Sequence, residues 1–368
     1  MSLLYLTLVL SLGMYLFFVL FFLSGLFHLK QSPLMAPDSL SKVTVIVAAR
    51  NEAKNLPGLL TDLIKQDYPK ELLEIIIVDD RSSDETWNII DAFAGKNPQV
   101  RGIKIEQRLA SMTPKKHAIT TAVRAASGDI IVATDADCRV PKTWVASMVS
   151  CFKPDTGIVA GFSSVALETN SWLNRYQQLD FLALMAANAG SIGWGRAWSG
   201  SGQNLAYRRS AFQKINGFEA VTERISGDDM HLIQAIGASA VPEFNTNPAG
   251  AVQTAAIGTI KEFINQRVRW ASNSSRAAQN NHFFFLFLLS AFSLNLALLI
   301  AALTTGFSEI IVVLMLKMLA DFSVIFKGLL LFKIQMRPGT FLMWFLIQPL
   351  YIPVIGLLGL IGKFRWKQ

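Results

Sequence analysis

The chain has 368 residues, of which 52% are hydrophobic and only 16% charged, and its mean hydropathy is +0.37. This composition is too apolar for a soluble protein of this size and predicts membrane segments. The formal net charge is +8, but the basic residues form no stripe or recognition motif, which argues against a nucleic-acid partner. Two cysteines exclude a disulfide framework.

The first apolar run, residues 3–27, has no charged side chain and is long enough to cross a bilayer, which takes about 20 residues. A cleaved signal peptide is the alternative interpretation. It fits less well because the start has no basic residue, the run is long and no small-residue cleavage motif follows. We therefore predict an N-terminal transmembrane helix within residues 1–30.

Residues 41–250 change to an alternation of strand and helix. Apolar runs predict strands at residues 43–49, 73–80, 101–105 and 129–137, and helical spacing appears between them. Ser82 and Glu85 have the spacing of a capping box at a helix start. The alternation predicts an α/β domain with a mainly parallel sheet, and ligands of such sheets bind at the carboxyl ends of the strands.

Two acidic pairs follow predicted strands and should face one crevice: Asp79–Asp80 and Asp135/Asp137. Side chains at positions i and i+2 of an extended stretch point the same way, so Asp135 and Asp137 converge. Like charges about 4 Å apart repel by roughly 4 kcal/mol at an effective dielectric of 20, so a positive group is expected beside them. The pair predicts Mg²⁺ or Mn²⁺ held against a diphosphate. A helix N-terminal cap before Pro141 is the alternative.

Residues 251–282 predict an interfacial helix, because apolar side chains recur at helical spacing: Ile260, Phe263, Ile264 and Val268. Residues 283–368 predict a transmembrane region with two to three crossings, from apolar runs at 283–303, 310–332 and 341–361. Lys317 and Asp321 share a helix face and either pair inside the bundle or lie at the membrane interface.

Basic residues beside the apolar runs place the large middle segment on the cytoplasmic side by the positive-inside rule. They are Lys30, Arg276, Lys333, Arg337, Lys363, Arg365 and Lys367. Three C-terminal crossings would leave the basic tail on the opposite side. We therefore expect one segment not to cross fully, and favour a bent last segment because it contains Pro349 and Pro353.

Seven short motifs occur in an order typical of one family: "VTVIVAARNEAKNL", "IIIVDDRSSDET", "PKKHAITTAV", "TDADCRVP", "GSGQNLAYRRSAF", "SGDDMHL" and "QRVRW". From residue 43 to its C-terminus the chain resembles the membrane-bound family-two glycosyltransferases, inverting enzymes with a Rossmann-like GT-A fold. Chitin, cellulose and hyaluronan synthases belong there, as does ceramide glucosyltransferase. The resemblance implies a GT-A nucleotide-sugar transferase domain at residues 41–250.

The resemblance also implies roles for single residues. The nucleotide-sugar would be bound by Ala49, Glu52, Asp80, Lys116, Asp135 and Asn204, with Asp80 accepting from the base and Lys116 near the diphosphate. Asp135 and Asp137 would hold the metal ion, with Asp137 the closer ligand. The general base would be Asp229. The Q-x-x-R-W residues Gln266, Arg269 and Trp270 would line the donor diphosphate and the acceptor sugar.

Two alternatives stay open for these residues. Asp228 could be the base instead of Asp229, and it stands where many relatives have glutamate. Trp270 could be a membrane-interface residue, since tryptophan is enriched at that depth.

These observations predict an integral membrane glycosyltransferase, with its catalytic domain on the cytoplasmic side of a bacterial inner membrane. Its partners would be a nucleotide-sugar donor, most simply a UDP-sugar, a lipid or glycan hydroxyl as acceptor, and membrane lipids. The alternatives are a processive polysaccharide synthase and an inactive membrane transport or scaffold component. A glycoside hydrolase fits less well, because its two catalytic carboxylates lie about 5 Å or more apart, on either side of the bond that is cleaved.

Overall fold

The computed structural model describes residues 3–31, 41–167, 169–223, 226–274, 281–305, 308 and 310–361. Four basic residues of the topology prediction lie outside the described residues: Arg276, Lys363, Arg365 and Lys367. The chain forms two units. The sheet unit comprises Leu29–Ala166 and Ile192–Ala255, and the helical unit comprises Met1–His28, Leu167–Ser191 and Ala256–Gln368.

The sheet unit confirms the predicted mainly parallel α/β fold. Its seven-stranded sheet has the order β3-β2-β1-β4-β8-β6-β9, in which β8 alone runs antiparallel to its neighbours. The strands are β1 (Val43–Ala49), β2 (Leu73–Asp80), β3 (Val100–Ile105), β4 (Ile130–Asp135), β6 (Thr156–Gly161), β8 (Leu205–Arg208) and β9 (Val241–Asn245). A smaller sheet has the order β5 (Cys138–Arg139), β10 (Val252–Thr254) and β7 (Ser163–Val165).

Helices and short 3₁₀ turns connect these strands. The helices are α2 (Leu56–Ile64), α3 (Thr86–Ala94), α4 (Pro114–Ala125), α5 (Trp144–Val149), α7 (Arg209–Lys214) and α8 (Asp228–Gly237). The 3₁₀ turns are Lys70–Leu72, Glu219–Val221 and Pro248–Gly250.

The central strands are apolar on both faces because helices cover both faces of the sheet. In β2, Ile75, Ile76, Ile77 and Val78 are all 0% exposed. Gly128 leads into β4, and a Cβ there would lie 2.4 Å from the Thr44 backbone nitrogen. Glycine therefore permits the close approach that sets β4 beside β1.

The predicted capping box is wrong. Helix α3 begins at Thr86, and the Ser82 hydroxyl instead donates to the Asp79 carboxylate. The Asp84 carboxylate accepts from the Thr86 backbone N–H at 3.0 Å. Asp84 therefore pairs with one of the N–H groups that have no partner within the helix at its start.

The helical unit contains α1 (Leu3–His28), most of α6 (Trp172–Gly193), α9 (Ile260–Ala271), α10 (His282–Thr304), α11 (Ile311–Phe332) and α12 (Pro338–Ile361). Within the described residues three of these, α1, α10 and α12, are long and apolar enough to cross a membrane. Helix α12 runs without interruption through Pro349 and Pro353, although these prolines led us to expect an incomplete last crossing. Helix α11, with Lys317, Asp321 and Lys327, is not among the three.

Lys317 and Asp321 form a buried pair, which is the first of the two predicted arrangements. The Lys317 ammonium donates to Asp321 at 2.6 Å, and the Tyr15 hydroxyl of α1 donates to the other carboxylate oxygen at 2.5 Å. The side chains of the pair are 1% and 2% exposed. A buried charge needs such a partner, so this contact fixes how α1 and α11 pack.

Candidate active site

The carboxyl edge of the main sheet brings the two predicted acidic pairs to either side of β1. Ala49 is the register partner of Asp79 on β2, and Ala48 is the partner of Asp135 on β4. Acidic groups 56 residues apart in the chain therefore flank the end of a single strand. Ala49 itself is 2% exposed, so a ligand would meet mainly its backbone.

The loops after β1 and β2 are tied to one another. Asn51 and Arg81 have the positive φ values 54° and 57°, which non-glycine residues seldom adopt. The Asn51 backbone N–H donates to the Ser82 hydroxyl at 2.9 Å, and the Ser83 N–H donates to the Asn51 side-chain oxygen at 2.8 Å. Such left-handed residues cluster at functional sites, where their surroundings hold them in place.

Asp80 lies buried in this edge and is already engaged by an arginine. The Arg81 guanidinium donates to both carboxylate oxygens, at 2.8 and 3.1 Å, and Arg50 lies 4.0 Å away. Glu52 sits in the neighbouring loop, where its carboxylate accepts from the Asn55 amide at 2.7 Å. Arg81 was not among the predicted site residues, although an arginine directly after a strand-end Asp–Asp pair is visible in the sequence.

On the other side of β1, a lysine joins the acidic residues of two distant segments. The Lys115 ammonium lies 2.8 Å from Asp135 and 3.7 Å from Asp228. Burial lowers the pKa of Lys115, but the charges of Asp135 and Asp228 outweigh this and raise it above its ordinary value. A charged lysine is thus a positive group beside Asp135. Lys115 and three carboxylates, those of Asp135, Asp228 and Asp229, form the acidic cluster.

The position near the diphosphate was predicted for Lys116 and not for Lys115. Both residues lie in the first turn of α4, but Lys116 is only 1% exposed and lies among the buried residues of that helix. Consecutive helical positions differ by about 100° in direction, and Lys115 is the one whose ammonium lies 2.8 Å from Asp135.

Asp229 is the acid in this cluster with the clearest signs of a shifted proton affinity. One carboxylate oxygen accepts from the Gly202 backbone N–H at 3.1 Å and the other accepts from the Met230 N–H at 2.8 Å. Burial, followed by the charge of Asp228, raises the pKa of Asp229 to about 6, and Lys115 opposes this shift. At neutral pH the carboxylate is therefore mostly ionised and still accepts a proton readily, as a general base requires.

A small cavity of about 20 Å³ lies behind these groups. Its apolar wall includes Ile46 and Ile119, and its polar rim includes Lys115, Asp135, Asp228 and Asp229. The Tyr207 hydroxyl also lines the cavity and has no hydrogen-bond partner within the described ranges. The cavity borders the acidic cluster and is large enough for about one water molecule.

Asn204 is fully buried and uses its side chain inside the protein. Its amide oxygen accepts from the Trp144 indole N–H at 2.9 Å, and its amide nitrogen donates to the carbonyls of Phe162 and Gly250, each at 2.8 Å. The side chain is thus engaged in the protein interior, and the sugar-binding role expected from the sequence stays a prediction. It fixes the loop before β8 against α5.

Asp135 and Asp137 are both partly exposed, and the Cys138 thiol lies 3.8 Å from one Asp137 oxygen. Among the residues that the structure describes, no group of three or more His, Cys, Asp or Glu side chains forms a ready-made metal site. Two carboxylates do fit a hard divalent cation whose other ligands are phosphate oxygens and water. The donor set therefore suits a metal that binds together with a diphosphate.

The Q-x-x-R-W residues lie on α9 in the helical unit. The Trp270 ring lies 4.1 Å from the Arg267 guanidinium carbon and 5.8 Å from the Phe181 ring centre. Gln266 accepts from the Arg267 guanidinium at 3.1 Å. Of the four apolar side chains predicted to face the membrane, Ile260 and Ile264 are exposed, whereas Phe263 and Val268 are buried.

Comparison with known proteins agrees with the fold. A mainly parallel α/β sheet with an acidic crevice at its carboxyl edge is a GT-A-like architecture. The mannosyltransferase PcManGT from Pyrobaculum calidifontis, solved with GDP-Man and Mn²⁺, aligns with a TM-score of 0.67 over 98% of this chain and 99% of its own. The two sequences are 20% identical, so this likeness shows the fold alone.

Sequence families give the classification. The family described as glycosyl transferase family 2 matches residues 44–215, and glycosyl transferase family group 2 matches residues 130–325, just over half of the chain. The chain belongs to the family-2 glycosyltransferases.

Curated relatives align with part of this chain. The probable glycosyltransferase YdaM of Bacillus subtilis (strain 168) is 28% identical over 236 residues, which cover 63% of this chain and 55% of the relative. The beta-monoglucosyldiacylglycerol synthase of Synechocystis sp. is 29% identical over 226 residues, 57% of this chain and 45% of the relative. The chain thus spans about half the length of the curated relatives it matches.

Proposed function

We propose that this protein transfers a sugar from a nucleotide-sugar, most simply a UDP-sugar, to a hydroxyl group of a lipid or glycan acceptor. The observation that carries the proposal is the cluster in which Lys115 joins Asp135 to Asp228 and Asp229. It combines a phosphate-binding edge with a carboxylate of raised pKa in a single crevice.

Asp229 acts as the general base. An acceptor hydroxyl is a weak nucleophile until a positioned carboxylate takes its proton. The backbone N–H groups of Gly202 and Met230 orient the Asp229 carboxylate for this transfer. The acceptor oxygen then attacks the anomeric carbon as the bond to the nucleotide diphosphate breaks, and this single displacement inverts the anomeric configuration.

The departing diphosphate gains negative charge as that bond breaks. The Lys115 ammonium lies within the acidic cluster and meets this charge, so we assign to Lys115 the role that the sequence suggested for Lys116. Asp135 and Asp137 would hold Mg²⁺ or Mn²⁺, which neutralises phosphate oxygens when bound. Gln266, Arg269 and Trp270 are proposed to line the donor diphosphate and the acceptor sugar, as their motif implies.

Asp80 is proposed to recognise the nucleotide base. The Asp80 carboxylate, paired with Arg81 and 4.0 Å from Arg50, offers oxygen acceptors for a hydrogen bond from a ring N–H, and uracil has one. Glu52 and the backbone of Ala49 would complete the base pocket.

A membrane acceptor agrees with the three candidate spanning helices. The name of the Synechocystis relative, a glycolipid synthase, supports a lipid acceptor. Other relatives are named N-acetylglucosaminyltransferase and poly-beta-1,6-N-acetyl-D-glucosamine synthase. Their names support the two alternatives to a lipid acceptor, which are a glycan acceptor and processive synthesis.

The proposal is tested with full-length protein in detergent, by measuring nucleotide release from a set of UDP-sugars with Mn²⁺ or Mg²⁺ and membrane extract as acceptor source. We expect release that requires the metal and falls at least about 10²-fold in Asp229→Asn, the loss typical of a missing general base. Asp155→Asn, at an exposed position of the sheet unit, is the matched control and should keep full activity. Activity that survives both chelation and Asp229→Asn would rule out this mechanism.

A further inference from the structure

A single partly buried carboxylate joins three helices of the helical unit. Asp180 of α6 lies 2.9 Å from the Arg267 guanidinium of α9. From α12, the Trp344 indole N–H donates to the same carboxylate at 3.2 Å and the Tyr351 hydroxyl donates at 3.4 Å. The Arg267 and Asp180 side chains are 5% and 14% exposed, so most of the surface of both groups is shielded from water.

The Arg267 guanidinium is also held on its flat faces. Its carbon lies 4.7 Å from the Phe263 ring centre and 4.1 Å from that of Trp270. An arginine between two rings gains stacking and cation–π energy that a lysine ammonium does not reproduce with the same geometry. The position of Arg267 is therefore set by charge on one side and by aromatic rings on the others.

Arg267 is one of the unspecified residues of the Q-x-x-R-W motif, yet it contacts both ends of that motif. It donates to the Gln266 side chain at 3.1 Å and covers the Trp270 ring. A displacement of Arg267 would thus move the first and the last residue of the motif together. Helix α12 takes part because Trp344 and Tyr351 orient the carboxylate that holds Arg267.

We propose that Arg267 and Asp180 are positioning residues that hold the Q-x-x-R-W helix in its working orientation, with α12 as the supporting element. The proposal rests on the proposed glycosyl transfer for its catalytic meaning. It assigns a function to two side chains outside the three named positions of the motif. It also makes the C-terminal spanning helix part of the apparatus that supports catalysis.

The test compares Arg267→Lys and Asp180→Asn in the full-length protein in detergent. Arg267→Lys keeps the positive charge and a donor for Asp180 but loses the planar stack. We expect kcat to fall at least tenfold per folded molecule, amide exchange across residues 260–271 to quicken, and the melting temperature to change by only a few degrees. Trp344→Phe removes one of the three donors and should give a smaller loss of kcat.

Lys261→Ala, at an exposed position of the same helix, is the control and should leave both readouts unchanged. Wild-type kcat in Arg267→Lys and Asp180→Asn would overturn the proposal, as would a loss of activity fully explained by loss of folded protein. If the wild type transfers no sugar from any donor, the proposed function fails. In that case unchanged exchange of α9 in Arg267→Lys would separately overturn the anchoring role, and faster exchange would support it.

Discussion

The acidic cluster shows how single charges tune one another. Burial, followed by the charge of the neighbouring Asp228, raises the free energy of ionising Asp229. Lys115 offsets that cost, and its two ion-pair distances make it the central cation of the cluster. The proton affinity of Asp229 therefore depends on Asp228 and Lys115 as well as on its own burial.

This arrangement predicts an acidic limb in the pH profile. A general base works only when ionised, so kcat/KM of the wild type should fall as the pH drops below about 6, the pKa of Asp229. Lys115 lowers that pKa, so Lys115→Met should move the limb to higher pH by about one unit. The exposed Lys96→Met is the control and should leave the limb in place. An unchanged limb in Lys115→Met would show that Lys115 does not act on the base.

Asn204 allows a second prediction at the residue scale, because its amide makes three buried hydrogen bonds. Asn204→Ala leaves the Trp144 N–H and two carbonyls without partners, so we expect a loss of about 3 kcal/mol or more in stability. Thermal unfolding in detergent measures it, with the exposed Asn88→Ala as a near-neutral control. An unchanged melting temperature with a raised donor KM would instead restore the sugar-binding role.

At the scale of elements, the approach of β4 to β1 depends on Gly128. Gly128→Ala would place a Cβ 2.4 Å from the Thr44 nitrogen and 2.6 Å from the Val43 carbonyl carbon, both of them backbone atoms that cannot turn aside. We expect a destabilisation of about 2 kcal/mol, as in other overpacked sites. Gly95→Ala is the control, since its added Cβ would meet only one atom, at 3.5 Å. Equal melting temperatures for the two variants would contradict this view of the strand pairing.

Some elements could be predicted from the sequence because their signals are local. The apolar strands and their parallel order follow from the alternation of strand and helix, and Asp135 and Asp79 lie on either side of the end of β1 because parallel strands end at one edge. The choice between Lys115 and Lys116 could not be made, because it depends on the rotation of α4 to within one residue. The burial of Asn204 was equally hidden, since it depends on partners from three distant segments.

At the scale of the whole molecule, the described residues contain three helices that can cross a membrane. The sequence led us to expect an incomplete last crossing, because it could not show that α12 continues through its prolines. It also gave no sign that most of α6, inside the predicted catalytic domain, belongs to the helical unit.

The cytoplasmic orientation of the sheet unit remains a prediction with a direct test. The native thiols Cys138 and Cys151 are buried, so an introduced cysteine would give the main labelling signal. Lys96→Cys, on the exposed surface of the sheet unit, should react with a membrane-impermeant maleimide only after bacterial cells are opened. Labelling in intact cells would place this unit on the outer side and contradict the positive-inside argument.

In the proposed mechanism, donor binding and proton removal depend on different carboxylates. Asp135 and Asp137, together with the metal, bind the diphosphate, and Asp229 takes the proton of the acceptor hydroxyl. Calorimetry of donor binding to the full-length protein, with and without Mn²⁺, tests it most directly. We expect Asp229→Asn to bind the donor with nearly wild-type affinity but to transfer sugar at least about 10²-fold more slowly, and Asp135→Asn and Asp137→Asn to lose metal-dependent binding. Donor affinity that is independent of both the metal and these two carboxylates would contradict it.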